Sequence, residues 1–163
     1  SFVNTLKKEG KCVKESALEK KYAVRDDDLN RLSVLYGGRL VAIMDSIAAR
    51  VARIHSEKTC VTASMDSIHF LAPVLLDETL LIKVAVNRTW TTSMEIGIKV
   101  LTERDDKWIH VASAYLTFVA LDETGKPAKV IPVIPETDEE IRRFVQADER
   151  RKIRLAHRNP KSS

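Results

Sequence analysis

Cysteine is nearly absent from this sequence: Cys12 and Cys60 are the only two among 163 residues. They stand in no CxxC or Cys/His spacing, so the chain offers no pattern for a zinc site or a redox dithiol. Glycine and proline number five each, with no low-complexity linker between them and no internal repeat. No apolar run approaches the roughly 20 residues needed to cross a bilayer. What is present is the composition of a globular domain, 44% hydrophobic and 31% charged, in a chain long enough to bury one real core. The expected compartment is the reducing cytoplasm.

The net charge of +4 is unevenly placed. From Arg142 onward the chain holds a surplus of six positive charges, which leaves the preceding residues at −2. A basic tail of this kind reads first as a solvated segment, and second as a cationic patch for phosphates.

Periodicity divides the chain into three parts: a Lys-rich flexible arm at 1–15, one domain at 16–136, and a C-terminal helix with a basic tail at 137–163. Residues 17–25 suit a first strand, ending at Asp26, Asp27 and Asp28. From Arg39 to His55 the apolar residues follow a helical period over a wide arc, so this helix must be nearly engulfed. Residues 59–70, 79–88, 93–101 and 108–121 read as long strands, the last three alternating in burial and joined by short links as an antiparallel meander. Asp122 to Gly125 reads as a turn. Thr137 to Glu140 has the spacing of a capping box that opens a helix with a thin apolar stripe, expected on the surface. The fold class is therefore α+β, with one long helix wrapped by a curved antiparallel sheet of about five strands.

Asp45 breaks the pattern of that helix. At about 100° per residue it falls at the edge of the apolar arc beside Val41, Ala48, Ala49 and Ala52, while Arg39, Arg50 and Arg53 project from the opposite flank. An unpaired carboxylate among small side chains costs several kcal/mol when dry, so this flank is either wet or functional.

Four blocks carry a resemblance: "DLNRLSVLYGGRLVAIMD", "VTASMDSIHFLAPV", "NRTWTTSMEIGIKV" and "AYLTFVALDETGKPAKVIPVIPETDEE". In this order, from about Asp28 to Glu140, the sequence resembles the hotdog-fold acyl-coenzyme A thioesterases of the cytosolic acyl-CoA hydrolase group. The resemblance implies that two such domains pair side by side, commonly as a trimer of dimers, and hydrolyse acyl-CoA. It makes Asp45 the catalytic carboxylate and Asn30 the polar residue of a "DxN" loop. It also implies that the backbone amides of Gly37 and Gly38 face the thioester carbonyl. It places Arg88, Thr92, Ser93 and Met94 where coenzyme A is received, with Ser64 and Phe70 as weaker members. Two positions depart: Ser33 stands where the family usually has glycine, and Ala49 where relatives can carry a hydroxyl.

The chemistry needs a nucleophile and oxyanion donors. There is no GxSxG elbow, so Asp45 either deprotonates a water or attacks directly. The donors are amides at the helix start, where unpaired N–H groups and the dipole favour negative charge. Asp45 lies about 10–12 Å along the axis from the glycines at 1.5 Å per residue, so both reach one carbonyl only if they come from different subunits. A homodimer is then required. No metal and no separate cofactor is expected, coenzyme A entering as part of the substrate, and neither nucleic acid nor a membrane is expected as partner. Hydratase chemistry is disfavoured, because the histidine that related hydratases place after five intervening residues is Val51 here. The alternative reading is a non-catalytic acyl-CoA binding or sensing module. No helix-turn-helix pattern supports a DNA-reading regulator.

Overall fold

The computed structural model describes residues 9–158. The long apolar segment forms α1, Gly37–Ser56, and the terminal segment forms α2, Asp138–Arg158. The strands are β1 (Lys11–Cys12), β2 (Leu18–Ala23), β3 (Thr59–Phe70), β4 (Thr79–Thr89), β5 (Ser93–Arg104), β6 (Lys107–Leu121) and β7 (Val133–Ile134). Five of them make one antiparallel sheet in the order β2-β4-β5-β6-β3, which leaves β3 as a free edge on the side of the site.

Alternation explains the layers. In β4 and β5, Leu80, Ile82, Met94 and Ile96 are wholly buried, and with Leu116 and Phe118 of β6 they meet Met44, Ala48 and Val51 of α1. Each such side chain contributes about 1.5–3 kcal/mol by leaving water. α1 therefore lies on one face of the sheet, and it ends where Glu57 adopts φ 59° and returns its amide to the Arg53 carbonyl at 2.8 Å. None of the described helices is long and apolar enough to cross a membrane.

Two expectations need correction at the ends of the chain. The arm expected to be loose at 1–15 is tied down from Lys11 onward: β1 runs parallel to β7, pairing Lys11 with Val133, and Val13 is buried. Residues 1–8 of that arm lie outside the described residues. α2 begins with the capping box, Glu140 N–H donating to Thr137 Oγ1 at 3.1 Å and Thr137 N–H to Glu140 Oε1 at 3.3 Å. Arg142, Lys152 and Arg158 are solvated as expected, but Arg150 and Arg154 are not. Arg150 donates through Nε and Nη2 to Glu95, a carboxylate with no exposed surface, at 2.7 and 2.8 Å. Its guanidinium also stacks 3.6 Å above the Tyr115 ring. Arg154 reaches Asp66 at 2.7 Å, and Arg88 of β4 donates to the Phe144 carbonyl at 3.1 Å while lying 4.1 Å from that ring. Arginine stems cover apolar surface while their planar heads satisfy buried acids, which is how so polar a helix is held on the outer face of the sheet. Glu95 also accepts from Asn87 Nδ2 at 2.9 Å, and a Cβ at Gly97 would strike that same amide at 2.7 Å. The glycine leaves room for the network.

Candidate active site

The loop before α1 is built around two side chains. Asp28 is buried, 3% exposed, and accepts from Tyr22 Oη at 2.6 Å, the Arg25 amide at 2.9 Å and Arg39 Nε at 3.0 Å. Burial works to raise its pKa, but these donors outweigh it, and the carboxyl lies below the usual range. Its carbonyl receives the Tyr36 amide at 2.7 Å, which sets where the helix starts. Asn30 Oδ1 accepts from the amides of Leu32 at 2.9 Å and Val34 at 3.3 Å, an Asx-type turn that leaves Nδ2 free of described partners. Ser33 holds φ 61°, a left-handed conformation that a residue with a Cβ adopts at a cost of about 1–2 kcal/mol.

The helix then opens without a side-chain cap. Arg39 and Leu40 are the first to return their amides, both to the Tyr36 carbonyl, at 3.0 and 3.1 Å. Among the described residues the Gly37 and Gly38 amides have no acceptor, as the first helical turn dictates. Beside Gly37 opens an apolar cleft of about 320 Å³ lined by Leu35, Leu40, Phe70, Leu71, Ala72, Pro73 and Val74.

Asp45 is half-buried on α1, and its Oδ1 accepts from Thr62 Oγ1 at 2.7 Å. It is not unpaired, as its helical position suggested. The hydroxyl absent at Ala49 is supplied from the strand instead. Thr62 escapes sequence reasoning because β3 shifts register between Thr62 and Ser64. A bulge inserts a residue and interrupts the alternation of faces. Thr62 thereby turns toward Asp45, while Ser64 donates to Asp66 Oδ1 at 2.8 Å, among the groups that meet α2. Ser64 and Asp45 thus lie on opposite faces of the sheet.

The expected coenzyme positions separate in the same way. Met94 is fully buried and belongs to the core. Arg88 is engaged with Phe144. Phe70 stands next to Gly37, its ring tip 3.5 Å from where a Cβ of that glycine would be, and so lies at the acyl end of the expected site. Thr92 and Ser93 do lie at the β4–β5 turn, where their carbonyls accept from Ala120 and Trp90. There the structure adds groups from α2. Arg151 Nη1 lies 3.5 Å from Ser93 Oγ, with its guanidinium 4.7 Å from the Trp90 ring centroid. Burial, then the charges of Arg154 and Arg88, pull Arg151 below its ordinary pKa, and no described carboxylate forms an ion pair with it. Arg88 Nε and Trp90 Nε1 are buried without partners. Those two donors have no exposed surface, so what this corner offers a phosphate-bearing ligand is the Arg151 guanidinium beside the Ser93 hydroxyl.

Three histidines are accounted for within the fold. His55 is wholly buried with Nε2 2.6 Å from the Ile131 carbonyl, and burial lowers its pKa. His69 meets Ser67, and His110 the Ala112 carbonyl.

Comparison with known proteins gives this geometry a context. Residues 32–109 match the model of the thioesterase superfamily. The uncharacterized acyl-CoA thioester hydrolase YkhA of Bacillus subtilis is 40% identical over 88% of this chain and 87% of its own. An acyl-CoA hydrolase of Staphylococcus aureus, solved with butyryl coenzyme A, coenzyme A and coenzyme A disulfide, superposes with a TM-score of 0.88 at 36% identity, covering 93% of this chain and 94% of that one. Alanine variants of the same enzyme have been solved at an asparagine, an aspartate and a threonine. Those positions are separated by 15 and then 17 residues, as are Asn30, Asp45 and Thr62 here. An apo-hexameric acyl-CoA thioesterase gives a TM-score of 0.88 at 32% identity over 91% of this chain and 97% of that one. With the helix, the sheet order and the sequence agreeing over most of its length, the chain belongs to the acyl-CoA thioester hydrolases of the hotdog-fold thioesterase superfamily.

Proposed function

We propose that this protein hydrolyses acyl-CoA to a free acid and coenzyme A at a site shared by two copies of the chain, with Asp45 of one facing Gly37 and Gly38 of the other. The observation that carries this reading is the placement of two incomplete halves. Asp45, held by Thr62, and the unpaired helix-start amides both border the free edge of the sheet, yet along one helix they stand about 12 Å apart at 1.5 Å per residue.

The strand register supplies the way to join them. Thr62 lies opposite Phe118, and Phe70 opposite Ala112, with two register shifts between them, so the two halves are six ladder positions apart, about 20 Å at roughly 3.3 Å per residue. If two β3 edges pair antiparallel about a two-fold near Asp66, Thr62 of each copy meets Phe70 of the other. Asp45 then approaches the partner's helix start. The edge is apolar enough to want such cover, with Val61, Met65, Phe70 and Leu71 all prominently exposed. Further association into a trimer of dimers follows the hexamer seen in a similar thioesterase.

In the reaction, Asp45 takes a proton from water as the oxygen attacks the thioester carbonyl carbon. The oxyanion is held by the glycine amides, the C–S bond breaks, and the thiolate leaves to be protonated as coenzyme A. Thr62 orients the carboxylate, Asn30 Nδ2 points a donor from its loop, and Arg151, stacked on Trp90, receives phosphate with Ser93. The reaction draws on no metal and no separate cofactor. Two free thiols, Cys12 and Cys60, suit the reducing cytoplasm as its compartment.

The test is Asp45→Asn, measured by thiol release and by calorimetric binding of coenzyme A. Turnover is expected to fall by at least about 10²-fold, in the range of a lost general base, with binding kept. Wild-type turnover in the variant would refute the role of Asp45. Binding with no turnover in either protein would identify a sensing module instead.

A further inference from the structure

Gly37 is a glycine that the chain's own packing does not require. It begins an ordinary helix, and a methyl group on it would meet only the Phe70 ring, at 3.5 Å, a normal contact. Gly125, by contrast, needs its φ of 83°, and a Cβ at Gly97 would collide with Asn87. Gly37 and Phe70 thus face each other across room for one methyl group, which the chain leaves unfilled. Both line the cleft of about 320 Å³ whose other walls are Leu35, Leu40, Leu71, Ala72, Pro73 and Val74. None of these carries a side-chain donor or acceptor.

We propose that Phe70 is the residue that sets acyl-group preference, its ring forming one wall of the cleft beside Gly37, and that the cleft takes a linear acyl chain. The proposal rests on the acyl-CoA reading above and assigns Phe70 to the acyl end rather than to coenzyme A. Phe70 suits the task because it closes an edge strand opposite a small residue, Ala112, outside the buried core, on the face where the proposed second copy meets it. A chain entering the cleft gains about threefold to fourfold in affinity per buried methylene until the cleft is full.

The experiment measures binding of non-hydrolysable S-alkyl coenzyme A thioethers from two to sixteen carbons, alongside thiol release from the matching acyl-CoA series. Wild-type affinity should climb with chain length and level off once the cleft is full. Phe70→Ala should move that plateau at least two carbons longer, and Ala72→Phe, which fills the cleft, should move it shorter. Thermal unfolding and sedimentation check that each variant is folded and pairs as the wild type does. Chain-length profiles that stay within twofold of wild type in both variants would overturn the role of Phe70 while leaving hydrolysis intact. Chain-length-dependent binding with no thiol release from any substrate would overturn hydrolysis and leave the acyl-length assignment standing.

Discussion

Replacing Gly37 by alanine adds one methyl group at a point where the structure separates stability from chemistry. The helix already has its ordinary conformation there, and the only neighbour of the new carbon is the Phe70 ring at 3.5 Å. Removing the conformational freedom of glycine from the unfolded chain should stabilise the protein by about 0.4–1 kcal/mol. For a domain of this size that is an increase in Tm of about 1–4 °C. The same methyl stands beside the amide that, in the proposed reaction, receives the thioester carbonyl. Displacing the reacting group by about 1 Å costs on the order of 10²-fold in rate, so kcat/KM for acyl-CoA should fall by at least that factor. Differential scanning calorimetry and a thiol-release assay on one preparation decide it. A variant that is more stable and fully active would show that no carbonyl sits at this amide. A variant that is unstable would show that the helix start is packed more tightly than the 3.5 Å contact indicates.

Two further predictions concern what holds the domain together. Arg150→Ala strips the buried Glu95 of its charge partner and should destabilise the fold by about 3–5 kcal/mol, read from urea unfolding. Replacing Glu95 by Gln in the same chain should recover part of the loss, because a neutral amide needs no counter-charge. The pH dependence has a definite sign. His55 is held neutral, with its folded pKa below the ordinary 6.5, so the unfolded state binds the extra proton first. Its contribution is whole above about pH 6.5 and is lost as the pH falls through 6.5 toward the folded value. Thermal melts across pH 5–8 should show Tm declining on the acid side, and His55→Gln should remove that decline if the assignment is right.

Much of this architecture was legible in advance because it depends on neighbours in the chain. The helical stripe expected from Arg39 to His55 is α1 with two residues more at the start and one at the end. The runs at 59–70 and 108–121 are β3 and β6 to within a residue. The turn at Asp122, whose Oδ1 accepts the Thr124 amide at 2.8 Å, and the box at Thr137 are contacts over two or three positions that a short motif specifies. Asp45 was recognisable from its place on the helical wheel, and Gly37 and Gly38 from the block that contains them.

Spacing along a single backbone is enough to specify the period of each element, its caps, and the one carboxylate out of place on an apolar arc. Tertiary structure alone decided which hydroxyl meets that carboxylate, because the shift in β3 changes the facing of its side chains through pairing with β6, a strand more than 40 residues away. It also decided that Arg150 and Arg154 close on Glu95 and Asp66, 55 and 88 residues distant. An arginine in a basic tail carries no local mark of the buried acid that it will find, for that match exists only once the sheet has formed.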